Sequence, residues 1–63
     1  MQVFNVSGMT CSHCERAVTQ AIQALDSQAQ VQVDLAAGTV QVQSSASEQA
    51  IRQAISEEGY QVS

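Results

Sequence analysis

The chain has 63 residues and a formal net charge of -4, with six acidic residues against two arginines, no lysine, no proline and no tryptophan. A chain of this length buries only about 60% of the surface its unfolded form exposes, so its core is thin and a deep, enclosed substrate pocket is not expected. Arg16, Arg52 and His13 do not form the basic footprint that phosphates require, so neither nucleic acid nor direct binding to an anionic membrane surface is expected.

Residues 1–6 alternate with period two and set Phe4 and Val6 on one side of a strand. Residues 14–25 repeat with helical spacing instead. Val18, Ala21, Ile22 and Leu25 fall at i, i+3, i+4 and i+7, one face of a helix. Just ahead, Ser12-His13-Cys14-Glu15 reads as a capping box, with Ser12 as N-cap, Glu15 at N3 and Cys14 in the first helical turn. Next, Val31, Val33 and Leu35 share one face of a second strand, and Val40 and Val42 continue the pattern in a third. The short Ala36-Ala37-Gly38 connection, with glycine able to take a positive φ, marks a hairpin.

Residues 45–58 predict a second helix. Ser45-Ala46-Ser47-Glu48 again has the capping-box pattern, with Ser45 as N-cap. Ala50, Ile51, Ala54 and Ile55 form its apolar stripe, and Gly59 suits the C′ position beyond it. Residues 60–63 form a short last strand. The order is β-α-β-β-α-β in one domain spanning 1–63: an α+β fold with a four-stranded antiparallel sheet and both helices on one face. The eleven glutamines fall mostly on the polar positions and are taken as uncharged surface.

The longest apolar run is three residues, Leu35-Ala36-Ala37. A spanning helix needs about 20, and a signal peptide an apolar stretch of about 7 or more. The chain therefore reads as soluble and cytoplasmic, where thiols stay reduced, although a processed periplasmic chain would look the same. Its beginning at Met1 in a strand and its end within another read as a complete chain.

Residues 8–14, GMTCSHC, carry both cysteines of the chain, Cys11 and Cys14. A closed zinc site wants four tetrahedral ligands, and the third donor here, His13, lies inside the CxxC itself. A thioredoxin-like redox couple is the usual reading of CxxC near a βαβ pattern, but this chain is small and has no proline. Two thiolates alone suit a soft ion such as Cu(I), held in a near-linear site open to a third thiolate. Helix N-terminal N–H groups and the positive end of the helix dipole favour a thiolate at Cys14, whose pKa is expected to be depressed. Cys11, on the loop, is expected to be more exposed and the first to meet a partner's thiol.

GMTCSHC between a strand ending FNV and an amphipathic helix resembles the heavy-metal-associated domain. VDLAAGTVQV resembles its central hairpin, and EEGYQV its helix-to-strand turn. The resemblance covers essentially the whole chain and follows the bacterial-type copper chaperone. It implies a ferredoxin-like βαββαβ sandwich with Cys11 and Cys14 as metal ligands.

Four neighbours and Tyr60 surround that expectation. Met9 is read as a hydrophobic anchor beneath the loop rather than a third soft ligand. Thr10 stands where zinc-transporting relatives resemble one another in having an acidic residue, which tilts the expectation toward Cu(I). Ser12 belongs to the helix start. His13 reads as an exposed residue, with a weaker reading in which it helps bridge two molecules or makes metal release pH-dependent. Tyr60 occupies the turn that in this family approaches the metal loop, where eukaryotic chaperones resemble one another in having lysine and bacterial ones tyrosine. Glu57 and Glu58 sit where the helix dipole disfavours negative charge by about 0.3–1 kcal/mol each, and are read as an acidic docking rim.

The expected function is a soluble Cu(I) chaperone, not an enzyme. It would hand copper by thiolate exchange to a copper-transporting P-type ATPase or to that ATPase's metal-binding domain. A homodimer bridged by copper is a further assembly to consider. The competing readings are an excised amino-terminal domain of such an ATPase, a thiol-disulfide redox protein, and a mercury-binding protein.

Overall fold

The computed structural model describes residues 2–10 and 12–63, and six elements follow one another along the chain. They are β1 (Gln2–Ser7), α1 (Ser12–Leu25), β2 (Gln30–Asp34), β3 (Thr39–Gln43), α2 (Glu48–Glu57) and β4 (Gln61–Val62). The sheet has the order β2-β3-β1-β4, and every neighbouring pair is antiparallel. This is the ferredoxin-like βαββαβ arrangement expected from the alternation of strand and helix periods.

The strand registers explain how Val/Gln alternation makes a two-faced sheet. Phe4 faces Val40, which faces Val33; Val42 faces Val31; Val6 faces Val62. These side chains share the face covered by both helices. Phe4, Val18, Ile22, Val40, Val42, Ile51 and Ile55 are the largest fully buried side chains, drawn from two strands and both helices. Burying each such side chain contributes about 1.5–3 kcal/mol. Helices of ten and fourteen residues are marginal alone in water, so this shared core is what keeps α1 and α2 formed. On the opposite face lie Gln32, Gln41, Asn5 and Gln61, with Val3 exposed among them.

The β2–β3 turn is fastened to the end of β1. The Val6 amide donates to the Gly38 carbonyl at 2.8 Å, and the Gly38 amide donates to the Asp34 carbonyl at 2.9 Å. Gly38 has φ 70°, and a Cβ there would stand 3.2 Å from the Val6 carbonyl oxygen. Backbone thus packs against backbone where the chain leaves β1, and glycine is required for the turn and for the approach.

Four expectations need correction. Helix α2 starts at Glu48, and its N-cap is Ser47, not Ser45; the Ser47 hydroxyl accepts from the Ala50 amide at 3.1 Å. Ser45 is instead drawn to Asp26. The Asp26 carboxylate accepts from the Ser44 hydroxyl at 2.8 Å, from the Ser45 amide at 3.2 Å and from the Ser45 hydroxyl at 3.3 Å. In α1, Ser12 is the first helical residue rather than the cap before it. Leu25 ends that helix 47% exposed, because Ala29, beyond the turn, closes the core at that end. Leu35 is half-buried against the core but lies in the turn after β2 rather than in the strand. Gly59, with φ 97°, follows the C-cap Glu58 as expected, and the last strand is only Gln61–Val62.

Candidate metal site

The β1–α1 connection is built outward from the core. Val6 is the last buried residue of β1, after which Ser7 and Gly8 are exposed. Gly8 takes φ 98°, a left-handed conformation that an L side chain adopts only with strain. That bend returns the chain to the protein and drives Met9 inward to 7% exposure, within the same cluster as Phe4, Val18 and Ile55. Thr10, next along, is exposed.

Met9 therefore fits the anchor reading. Its side chain is a piece of the core, and it tethers the connection from below. Tyr60, between α2 and β4, meets the same connection. It is half-buried against the core, and its ring carbon Cδ1 would lie 3.4 Å from a Cβ on Gly8. The chain reaches that position directly after α2 ends at Glu57 and turns through Gly59. Gly8 is a residue whose role the sequence alone does not reveal. Its signal was only the glycine opening GMTCSHC, and the φ it needs becomes apparent once the bend is seen.

Cys14 is the third residue of α1 and half-buried, packed against the core cluster. It thus lies in the first helical turn, where N–H groups lack partners within the helix and the dipole is positive. Ser12 and His13 precede it on the exposed side of that turn, and Glu15 follows, also exposed. Cys11 lies outside the described residues, as does Met1. Among the described residues no group of three or more His, Cys, Asp and Glu side chains gathers in one place.

The charges near this end are few. Arg52 is engaged elsewhere, its guanidinium 5.7 Å from the Phe4 ring centre and 4.0 Å from the Glu48 carboxylate. Glu57 and Glu58 are exposed at the end of α2, with Glu57 accepting from the Gln53 amide at 3.5 Å. Asp26 follows the far end of α1, about 20 Å along a fourteen-residue helix. Its pKa is lowered from the usual carboxylate value, chiefly by the Ser44 hydroxyl, and further by the Gln28 and Ser45 amides. No helix among the described residues is long and apolar enough to cross a membrane.

A βαββαβ sandwich with Cys14 in the first turn of α1, in a sequence that carries CxxC there, defines the class of small domain to compare with. The heavy-metal-associated domain model matches residues 3–61, and the chain belongs to that family. It is 39% identical over 64 residues to the copper chaperone CopZ of Staphylococcus aureus (strain MRSA252), covering 97% of this chain and 94% of the relative. The copper chaperone Atx1 from Synechocystis PCC6803, in its Cu2 form, superposes with a TM-score of 0.97 at 38% identity, over 100% of both chains. A gold-binding protein superposes with a TM-score of 0.90 at 33% identity, over 95% of this chain and 92% of that one. The first two of these are copper chaperones, and this chain covers 94% and 100% of their lengths.

Proposed function

We propose that this protein is a Cu(I) chaperone that carries its cargo on the Cys11 and Cys14 thiolates and passes it on by thiolate exchange. The observation that carries the reading is the placement of Cys14. It sits at the third position of α1, just after a connection pinned by Met9 beneath and approached by Tyr60, in a chain that belongs to the heavy-metal-associated family. Two soft sulfur donors three residues apart favour a soft monovalent ion, and likeness to a gold-binding protein points to the same class of cargo. The exposed Thr10 offers no carboxylate to a harder divalent ion.

Transfer needs no redox chemistry. A thiolate of the partner adds to the two-coordinate ion, one of the two chaperone thiolates leaves and takes up a proton, and a second exchange completes the hand-over. The copper keeps its oxidation state throughout, and the number of thiolates bound returns to two. The protein acts here as a carrier rather than as an enzyme. The partner is a copper-transporting P-type ATPase or its metal-binding domain, reached in the cytoplasm. Thr10, Ser12, His13 and Tyr60 border the ligands rather than bind the ion.

An anaerobic competition titration with a chromophoric Cu(I) chelator tests this, with Zn(II) in parallel and Cys11→Ser and Cys14→Ser as controls. One Cu(I) per chain, or one per two chains, held far more tightly than Zn(II) and severely weakened in either variant, is expected. Preference for zinc would replace the reading with a zinc-handling domain. Tight binding of neither metal, with ready oxidation of the pair, would make the CxxC a redox couple.

A further inference from the structure

The end of β1 has a neighbour on each flank. On one side lies β4, only two residues long: Val6 faces Val62, Ser7 faces Gln61, and the Ser63 amide donates to the Asn5 carbonyl at 2.8 Å. On the other side β1 pairs Asn5 with Thr39, and one step further the Val6 amide donates to the Gly38 carbonyl at 2.8 Å. In a regular antiparallel ladder the Gly38 amide would return a bond to Val6. Here it donates instead to the Asp34 carbonyl at 2.9 Å and closes the β2–β3 turn on itself.

The Asp34 side chain closes the same turn a second time. Its carboxylate accepts from the Ala37 amide at 3.1 Å, the kind of local bond by which Asp and Asn shape turns. Leu35, half-buried, seats the turn against the core. Leu35, Ala36 and Ala37 line one open groove together with Ser7, Gly8 and Met9, so the turn borders the connection that leads into α1.

We propose that Asp34 is a positioning residue for that connection. Its carboxylate fixes the turn, the turn holds Gly38, and the Gly38 carbonyl holds the Val6 amide two residues ahead of the Gly8 bend. Asp34 acts through backbone rather than on the ion. Without its acceptor the turn loosens, and the end of β1 is left to the short β4 ladder. The consequence for copper rests on the carrier reading above. Apparent affinity falls with the fraction of chains whose connection is already in the binding arrangement, and loosening the turn lowers that fraction.

Three variants separate position from charge and from stability. Asp34→Ala and Asp34→Asn remove the same negative charge, but asparagine keeps an oxygen that can accept from the Ala37 amide. Asp26→Ala breaks a comparable carboxylate clasp beyond the far end of α1. Native-state hydrogen exchange of the metal-free, reduced protein is read as the rate at the Val6 amide relative to that at Ile22 in α1. Global destabilisation alone does not raise this ratio. Asp34→Ala should raise it about three- to tenfold, the effect of one hydrogen bond, while Asp34→Asn and Asp26→Ala should keep it within about twofold of the parent. Chelator competition for Cu(I) should follow the same order, with Kd about three- to tenfold weaker in Asp34→Ala and parent-like in the other two. A ratio unmoved in Asp34→Ala, or raised equally by Asp34→Asn or Asp26→Ala, would overturn the positioning role whatever the copper result. So would a raised ratio with parent-like copper affinity, since the turn would then not position the connection. If the parent itself binds no Cu(I), the copper reading fails instead, and the exchange ratio alone decides whether Asp34 holds the end of β1.

Discussion

Replacing Met9 distinguishes an anchor from a ligand, because two substitutions separate its volume from its sulfur. Met9 is 7% exposed and belongs to the hydrophobic core cluster, so Met9→Ala leaves a cavity at the base of the connection that leads into α1. Such truncations cost about 2–5 kcal/mol, depending on how far the site collapses. A domain of 63 residues has a total stability of about 3–9 kcal/mol at typical per-residue values, so this is a large share of it. At about 4–8 °C per kcal/mol, the midpoint of thermal unfolding should fall by roughly 8–40 °C. Met9→Leu keeps the volume and removes the thioether. It should cost less than about 1.5 kcal/mol, or under about 12 °C.

The assay pairs thermal unfolding of the metal-free protein, followed by circular dichroism, with chelator competition for Cu(I). If Met9 acts through packing, Met9→Leu keeps the parent's copper affinity within a few-fold, while Met9→Ala loses both stability and affinity. A Met9→Leu protein that is as stable as the parent but binds copper more than about tenfold more weakly would show that sulfur, not volume, matters. The anchor reading would then fail.

Three further substitutions probe the corrected capping, the Asp26 clasp and the acidic end of α2. Ser47→Ala should cost about 1 kcal/mol and Ser47→Gly only a few tenths, as for other N-caps. Ser45→Ala removes one 3.3 Å contact and should cost less, so the opposite ranking in chemical denaturation would return the cap to Ser45. Asp26 has its folded pKa depressed below the ordinary 3.8, so its stabilising effect is fully present above that value and is lost as pH falls through the lower folded pKa. Asp26→Asn should be less stable at neutral pH and show a flatter loss of stability on acidification; an unchanged acid limb would refute the clasp. Glu57→Gln with Glu58→Gln should slow copper transfer to a partner with a basic face at low salt and converge with the parent at high salt. Equal rates at low salt would remove the docking role.

The pattern of the core was legible because periodicity is a local property. Val/Gln alternation over residues 30–34 and 39–43 can be buried on only one side, and the Val18, Ile22 stripe needs an apolar partner. What the sequence left ambiguous lies where a tertiary contact chooses among equal local options. Ser44, Ser45 and Ser47 all precede α2, and a capping box fits Ser45 well. Asp26, eighteen and nineteen residues earlier, takes the first two and leaves Ser47 to cap. Leu25 continues the α1 stripe in sequence, but Ala29 closes the core at that end. The proposed metal motif rests on chemistry, since the type and spacing of Cys11 and Cys14 suit a soft ion. The support beneath it was less so: the approach of Tyr60 to Gly8 joins residues more than fifty positions apart.

That support has a thermodynamic consequence for copper. A ligand that binds only the folded chain stabilises it by about 1.4 kcal/mol for each tenfold excess of free ligand over Kd, without limit. Cys11 and Cys14 are only three residues apart, so the unfolded chain also offers both thiolates to one ion. Stabilisation must therefore level off once both states are saturated, at a height set by the ratio of their affinities. A hundredfold advantage for the folded chain gives a plateau of about 2.7 kcal/mol, or roughly 10–20 °C. The advantage comes from what holds the connection in place: Met9 in the core, Tyr60 against Gly8, and the first turn of α1 around Cys14. Midpoints measured across chelator-buffered Cu(I) should thus rise and then flatten. The plateau should be lower in Met9→Ala, whose connection has lost its anchor. A midpoint that climbs steadily with free copper would mean the unfolded chain does not bind, and an unchanged plateau in Met9→Ala would mean the core does not organise the site.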